Sequence, residues 1–280
     1  MNSLSRKVYF LSNGTAITAE TLGLSLLAQF PGHQFQTHTI PFVDTIEKAQ
    51  AIGKEIDEGF TESEQLPIIV CTLDDDRLAK VIHQTKALVI DPLGDSVPRL
   101  EKVLASQHHQ ASQSHRTVSP SLYDSRIAAI DFSMLHDDGG KISNYEEADI
   151  ILIGVSRSGK TPSCLYLALQ FGIKAANYPI TEEDMESNQL PEPIRQFKSR
   201  LYGLTTDLYR LTNIRQERMP NSRYSSMDQC RYEIRAVEEM YENHDIPYVN
   251  TTSMSVEEIS ARIIRNSGLH RVEQPGGLSY

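Results

Sequence analysis

The stretch Asp149-Ile-Ile-Leu-Ile-Gly-Val-Ser-Arg-Ser-Gly-Lys-Thr-Pro162 decides how the second half of the chain folds. Its apolar run is typical of a buried strand, and residues 154–161 match the pattern G-x-x-x-x-G-K-[ST] at every fixed position. In that pattern, backbone N–H groups surround a phosphate chain, the lysine reaches its terminal oxygens and the last hydroxyl holds Mg²⁺. Pro162 suits the first turn of a helix, whose dipole also favours an anion. The stretch therefore predicts a strand, a phosphate-binding loop and a helix.

A glycine turn before an ordinary helix is the alternative to a ligand site. The eight-residue pattern also arises by chance, but the strand before it and the helix start after it favour a nucleotide or phosphate site. We expect Lys160 to be catalytic and Thr161 to bind the metal ion. The residues predicted to bind the nucleotide are Gly154, Val155, Ser156, Arg157, Ser158, Gly159, Lys160 and Thr161.

Strands alternate with helices along the rest of the chain, which predicts an α/β fold with mostly parallel sheets. The first part has apolar segments typical of strands at residues 7–12, 37–42, 67–72 and 86–91, with helical segments between them. The second part has further helical segments at residues 125–135, 226–243 and 256–266, and strand segments at 177–180 and 246–250. We expect an N-terminal parallel-sheet βα domain followed by a P-loop kinase-like α/β domain.

A polar segment without periodic apolar residues separates the two parts. We place the N-terminal α/β domain at residues 1–104, a polar linker at 105–122, the nucleotide-binding and catalytic domain at 123–270 and a flexible tail at 271–280. The linker contains His108, His109 and His115, but no cysteine or carboxylate nearby completes a recognisable metal site.

The composition excludes several classes of function. A net charge of −10 argues against a general nucleic-acid or membrane-surface binder, so attraction for phosphate must be local. The three cysteines lack the spacing of a disulfide framework or a zinc site. The N-terminus does not resemble a signal peptide, and no apolar run has the length of a membrane span. We expect a cytoplasmic protein that binds neither nucleic acid nor membrane.

The block that follows the strand resembles the phosphoenolpyruvate synthase regulatory proteins, a family that includes regulators of pyruvate, phosphate dikinase. It reads Gly154-Val-Ser-Arg-Ser-Gly-Lys-Thr-Pro-Ser-Cys-Leu-Tyr-Leu-Ala-Leu-Gln-Phe-Gly-Ile-Lys-Ala-Ala-Asn-Tyr-Pro179. Matching segments elsewhere extend the resemblance from about residue 8 to residue 270, and they lie at residues 11–20, 125–131, 136–139, 221–224 and 249–258.

The resemblance implies a bifunctional enzyme. In one direction, ADP-dependent phosphorylation of a threonine inactivates phosphoenolpyruvate synthase. In the other, inorganic phosphate removes the phosphoryl group and pyrophosphate is released. The wording of the block resembles the synthase branch more than the dikinase branch, which makes the synthase the expected target. The resemblance also allows a homodimer.

A hydroxyl acceptor benefits from a carboxylate that takes its proton. Asp138 and Asp137 precede the strand of the phosphate loop, and with the resemblance we prefer them, Asp138 first, as catalytic residues over a surface Asp-Gly turn. Their neighbour His136 is either a ligand contact or a structural residue. Arg223 is the expected functional arginine, whereas Arg215 and Arg231 are better explained by salt bridges with nearby glutamates.

Two other places carry weaker signals. Thr15 and Thr18 lie after the first predicted strand, where they either bind an anion or cap a helix. Asp91 ends a strand of the Walker B type, but it precedes the loop and is expected in the other domain.

Three functions stay open from the residues. The first is the protein kinase and phosphorylase just described, acting on the synthase or on the dikinase. The second is a small-metabolite kinase that uses the same loop. The third is a nucleotide-responsive protein that regulates a partner by docking alone.

Overall fold

The structure is a computed structural model that describes residues 5–63, 65–107, 120–137, 144–187 and 189–269. The chain divides into two compact units, Met1–Thr117 and Val118–Tyr280. The boundary falls within the predicted linker, most of which lies outside the described residues, as do its three histidines and the predicted tail.

The first unit is a parallel sheet with helices between its strands. Its elements are β1 (Arg6–Ser12), α1 (Ile17–Leu27), β2 (Phe35–Ile40), α2 (Ile46–Ser63), β3 (Ile68–Thr72), α3 (Asp76–His83), β4 (Leu88–Ile90) and α4 (Pro92–Leu104). The strand order is β2-β1-β3-β4. Tyr9 and Leu11 of β1 pack into one apolar cluster and Val8 and Phe10 into another, because successive side chains of a strand face opposite sides.

The second unit repeats this architecture with additional helices. Its elements are α5 (Pro120–Leu135), β5 (Ile150–Gly154), α6 (Lys160–Tyr166), β6 (Ala175–Pro179), α7 (Glu182–Ser187), α8 (Glu192–Arg195), β7 (Leu201–Thr205), α9 (Leu208–Arg218), α10 (Met227–Asn243), β8 (Tyr248–Asn250) and α11 (Val256–Ser267). A π-helical turn, Leu167–Phe171, continues α6, and a short 3-10 helix, Arg223–Ser225, precedes α10.

The second sheet has the order β6-β5-β7-β8, and its pairs are all parallel. The central strand β5 is buried along its whole length. Ile151 and Ile153 pack into one cluster, and Ile150 and Leu152 pack into the cluster on the other face. Apolar side chains on both faces are expected of a strand covered by helices on both sides. The loop after β5 is therefore carried by a fully buried strand of this unit.

These sheets confirm the predicted α/β class with two parallel-sheet domains. They also show the same strand order, 2-1-3-4, although the sequence has no evident repeat. Five elements were not predicted from the sequence, namely α4, α7, α8, β7 and α9. It also placed β2 two residues too late, since that strand begins at Phe35.

Candidate phosphate-binding site

Glycines fix the shape of the loop between β5 and α6. Gly154 has a φ of 150°, and a Cβ there would lie 2.4 Å from the carbonyl oxygen of Leu204 in β7. Gly159 has a φ of 97°, and a Cβ there would meet only open space, so its backbone conformation alone requires glycine. Arg157, at the exposed crest, has a left-handed φ of 75°, which is uncommon for a residue with a side chain. The loop is thus held in a conformation that its sequence pattern predicts.

Four carbonyl oxygens of the loop accept hydrogen bonds from side chains, two of them from Lys160 of the loop itself. The Lys160 ammonium donates to the Gly154 and Val155 oxygens, each at 2.9 Å. The Ser156 oxygen accepts from Arg215 at 3.1 Å, and the Ser158 oxygen accepts from the Thr251 hydroxyl at 3.0 Å. These contacts fix the backbone of the loop, and a loop of this sequence pattern suits an anion.

Lys160 lies inside this loop with only 4% of its surface exposed. Its two carbonyl partners hold the ammonium within the loop. The sequence pattern alone does not define that position. A phosphate group in the loop would be a charged acceptor for this ammonium.

A buried hydroxyl tests whether the loop suits a phosphate. Ser158 is 1% exposed, and its Oγ has no hydrogen-bond partner in the part of the chain that the structure describes. Buried polar atoms are rarely left unbonded, so this donor is best satisfied by an oxygen that enters the loop. The loop therefore fits a phosphate.

The Thr161 hydroxyl, at the start of α6, donates to Oδ1 of Asp137 at 2.7 Å. The Asn177 side-chain amide donates to the same oxygen at 2.6 Å and contacts the Thr161 hydroxyl at 3.2 Å. Asp137 and Asn177 belong to different elements, one following α5 and the other on β6. The structure thus brings one predicted carboxylate, Asp137, to the predicted metal ligand. Asp138, the other predicted carboxylate, lies outside the described residues.

Backbone contacts explain how Asp137 reaches the loop. The Asn177 amide N–H donates to the His136 carbonyl at 3.0 Å, which ties the end of α5 to the edge strand β6. The His136 ring is 3% exposed, stacks on Phe132 at 4.0 Å between centroids, and bonds the Phe132 carbonyl through Nδ1 at 2.7 Å. His136 therefore has a structural role, which was one of its two predicted interpretations.

Arg215 of α9 supports the loop from behind. Its guanidinium is completely buried, pairs with Glu233 at 2.6 Å, and donates to the Ser156 and Tyr224 carbonyls. It also lies 4.3 Å from the centroid of the Tyr224 ring, whose hydroxyl is 3.0 Å from Ser156 Oγ. Burial disfavours the charged guanidinium, but Glu233 outweighs that effect and raises the pKa of Arg215. The predicted salt bridge between Arg215 and a glutamate is confirmed. Its location beneath the phosphate loop was not predicted from the sequence.

Arg223 lies one residue from Tyr224, but its own side chain is exposed and pairs with Glu182 at 3.2 Å. Glu182 also accepts from Gln229, which in turn donates to Glu233. Arg223 is thus connected to the loop through other side chains, and its contact with a nucleotide stays a prediction. Arg231 pairs with Asp228 on its own helix, α10.

The turn after β1 occupies the position in its sheet that the phosphate loop occupies in the other. Its Asn13 amide donates to the Asp74 carboxylate, and a negative charge there opposes an anion. The residue at the cap of α1 is Ala16, without a side-chain cap, so neither Thr15 nor Thr18 caps this helix. The capping interpretation of those two threonines was wrong.

Asp91 belongs to the first unit, as the sequence predicts. Its carboxylate accepts from the Gly94 N–H and pairs with His83, so it caps α4. In the described residues, no group of three or more His, Cys, Asp or Glu is arranged to hold a metal ion. No helix among them is long and apolar enough to cross a membrane.

Sequence reasoning missed three residues that shape the site, namely Asn177, Arg215 in its role under the loop, and Thr251. A signal existed for two of them. Asn177 interrupts an otherwise apolar strand, and Thr251 follows β8 at the carboxyl end of the sheet, where parallel-sheet proteins bind ligands. Arg215 gave no such signal, because several charged residues surround it in the sequence.

The fold and the loop define a class: an α/β protein of two parallel-sheet units, the second with a strand–loop–helix that suits a phosphate. The chain belongs to the Kinase/pyrophosphorylase family, whose model matches residues 8–264. The resemblance stated from the sequence is thereby confirmed.

Similar proteins are provisionally named phosphoenolpyruvate synthase regulatory protein. One from Legionella pneumophila (strain Corby) is 47% identical over 269 residues, covering 96% of this chain and 99% of that protein. One from Acinetobacter baylyi (strain ATCC 33305 / BD413 / ADP1) is 46% identical and covers 96% and 97%. A third, from Acinetobacter baumannii (strain AYE), is 47% identical over 267 residues and covers 95% and 96%.

Proposed function

We propose that this chain is a bifunctional serine/threonine kinase and phosphorylase that regulates phosphoenolpyruvate synthase. The observation that carries the proposal is the loop at residues 154–161, with its hydrogen-bonded carbonyls, buried Lys160 and a hydroxyl beside Asp137. The family description, kinase and pyrophosphorylase, supports two phosphoryl-transfer activities. The names of the similar proteins support the synthase as the target and partner. The cytoplasm is the proposed location.

In the inactivating direction, the β-phosphoryl group of ADP moves to a threonine hydroxyl of the synthase. The threonine oxygen forms the new P–O bond, the bond between the two phosphates breaks, and AMP leaves with the negative charge. The hydroxyl proton is released to a base. The loop would hold the β-phosphate, where N–H groups and the Lys160 ammonium offset the charge of the transition state.

In the activating direction, inorganic phosphate takes the place of that β-phosphate. Its oxygen forms a bond to the phosphorus of the phosphothreonine and the bond between that phosphorus and the threonine oxygen breaks. The threonine oxygen takes a proton from the protonated form of the same base, and pyrophosphate and a free hydroxyl result. One loop can serve both directions, because each transfers a phosphoryl group between a threonine oxygen and a phosphate oxygen.

Arg157, exposed at the loop crest, is a second positive charge that can approach a transferring phosphoryl group. Thr161 is the proposed protein ligand of Mg²⁺, which when bound supplies charge neutralisation at the phosphates. Asp137 and Asp138 are the carboxylates predicted to accept the threonine proton, and Arg223 is predicted to contact the nucleotide. A homodimer is compatible with this proposal.

Intact-protein mass measurement tests the proposed function. Incubation of the synthase with this protein and ADP should add about 80 Da, and subsequent inorganic phosphate should remove it with release of pyrophosphate. Lys160→Ala should lose both activities, since both need the same loop. Loss of one activity with the other unchanged would refute the shared loop.

The same measurement separates the alternatives. Inhibition of the synthase without a mass increase would identify docking alone, and a labelled small metabolite would identify a metabolite kinase. Modification of pyruvate, phosphate dikinase instead of the synthase would change the target and leave the chemistry intact.

A further inference from the structure

We propose that Asp137, Thr161 and Asn177 form the seat of the divalent cation that accompanies the nucleotide, and that Asp137 serves this cation rather than the threonine proton. The inference rests on the proposed function for the identity of the nucleotide. It assigns a metal role to Asp137 and introduces Asn177 as the residue that positions it.

The Thr161 hydroxyl donates its hydrogen to Asp137 and so presents a lone pair to a cation. A hydroxyl has one hydrogen and two lone pairs. Its hydrogen goes to Asp137 Oδ1 at 2.7 Å, and one lone pair accepts from the Asn177 amide at 3.2 Å. The second lone pair is then oriented by these two contacts. A hydroxyl that has given its hydrogen to a carboxylate presents an oxygen acceptor, which is what Mg²⁺ binds.

The Asp137 carboxylate is held beside Thr161 by two hydrogen bonds. Both donors, the Thr161 hydroxyl and the Asn177 amide, contact the same oxygen, Oδ1, so neither uses Oδ2. These contacts anchor the carboxylate beside the first turn of α6. A base for the substrate would instead need an oxygen directed at the incoming threonine hydroxyl. The observed anchoring favours a ligand beside Thr161.

Asn177 has the features of a positioning residue. It is 1% exposed in the strand next to β5, and its backbone N–H holds the His136 carbonyl at 3.0 Å. Its backbone thus secures the end of α5 while its side chain orients Asp137 and Thr161. An uncharged amide in this place donates hydrogen without adding charge, whereas an aspartate there would repel Asp137.

The composition of the seat predicts how the cation binds. The described residues offer no group of three His, Cys, Asp or Glu, so one carboxylate and one hydroxyl must share the ion with oxygens from elsewhere. Mg²⁺ is commonly held by one or two carboxylates together with substrate phosphates. Tight cation binding should therefore require ADP.

Direct Mn²⁺ binding tests the seat without any assay of activity. The electron paramagnetic resonance signal of free Mn²⁺ is titrated against the full-length protein, with and without saturating ADP. ADP binding in EDTA is measured by calorimetry on the same samples. We expect Asp137→Asn and Asn177→Ala to raise the Mn²⁺ dissociation constant of the ADP complex by about 10-fold or more. Their ADP affinity in EDTA should change less than twofold.

Two further variants control for charge and folding. Asp131→Asn makes the same charge change on the exposed face of α5 and should leave Mn²⁺ affinity unchanged. Thr161→Val keeps the side-chain shape, removes the hydroxyl and should weaken Mn²⁺ binding as Asp137→Asn does. It supplies the answer if Asp137→Asn does not fold.

Equal Mn²⁺ affinity in the wild type and in a folded Asp137→Asn or Thr161→Val protein would overturn the proposal. So would Mn²⁺ binding that is as tight without ADP as with it. Failure of the proposed function has a different signature, because phosphate transfer to the synthase would be absent while Mn²⁺ binding followed the expected order.

Discussion

Replacing Arg215 with lysine should loosen the phosphate loop while keeping the buried positive charge. In the wild type the guanidinium reaches Glu233 at 2.6 Å and the carbonyls of Ser156 and Tyr224 at 3.1 Å each. A lysine can keep the ion pair, but its single nitrogen cannot reproduce the fork that spans all three acceptors. Two hydrogen bonds to carbonyls are then lost.

The expected cost follows from those two bonds. At about 1 kcal/mol each, the free energy of unfolding should fall by about 2 kcal/mol. Arg215→Ala should cost more, about 3–5 kcal/mol, because it leaves Glu233 buried without its cation. The Gln229 amide, which still donates to Glu233 at 3.0 Å, places the expected value toward the lower end.

Urea unfolding followed by circular dichroism measures this cost, and calorimetry measures ADP affinity. Since Arg215 fixes the Ser156 carbonyl, Arg215→Lys should also weaken ADP binding by roughly tenfold, which corresponds to about 1.4 kcal/mol. Arg231→Lys is the matched control. Arg231 and its exposed partner Asp228 both lie on α10, so the free energy of unfolding should change by less than about 0.5 kcal/mol. An Arg215→Lys protein as stable as the wild type and with the same ADP affinity would refute the argument.

Two other sites offer tests of the second unit and of the buried thiols. Gly159→Ala should lower the free energy of unfolding by about 1–2 kcal/mol, because alanine is strained in the left-handed backbone conformation of Gly159. Gly154→Ala should lower it more, because the added methyl group would also meet the Leu204 carbonyl. Urea unfolding measures both changes. Equal costs would contradict this difference. Burial raises the pKa of the Cys71 thiol to about 12 and also raises that of Cys164, above an unfolded value of about 8.5. The stabilisation from these protonated thiols is complete below pH ~8.5 and is lost as pH rises toward the folded pKa values. The thermal midpoint should therefore decrease as pH rises from about 8.5 to 10, and less steeply after both cysteines are changed to alanine.

The strand, loop and helix around residues 149–162 could be predicted because their signals are local. A continuous apolar run, two glycines at fixed separation and a proline after the loop specify neighbouring backbone conformations. The same reasoning placed α10 and α11 within a residue or two, since an amphipathic period and a capping serine, Ser255, mark them.

The contacts behind the loop could not be predicted because they join residues far apart in the chain. Arg215 is 59 positions from Ser156, and Thr251 is 93 positions from Ser158. No pattern within a short window encodes such a pair. The strand β7 was missed for a different reason, because Leu-Tyr-Gly-Leu-Thr is short and its central glycine, Gly203, is typical of turns. Close approach of Tyr241 requires that glycine, since a Cβ would lie 2.7 Å from the tyrosine ring.

The long-range contacts bear on how one loop could serve two reactions. Lys160, Arg215 and Thr251 come from three separate parts of the second unit and hold carbonyls along the loop, so the loop backbone is fixed by the protein rather than by a ligand. A loop organised in this way should present the same donors to the β-phosphate of ADP and to inorganic phosphate. On the proposed function, the choice between phosphorylation and its reversal would then depend on which phosphate compound occupies the loop and on the state of the target threonine. Variants that loosen the loop should therefore slow both reactions together, whereas variants of the cation seat should change the metal requirement of ADP binding first.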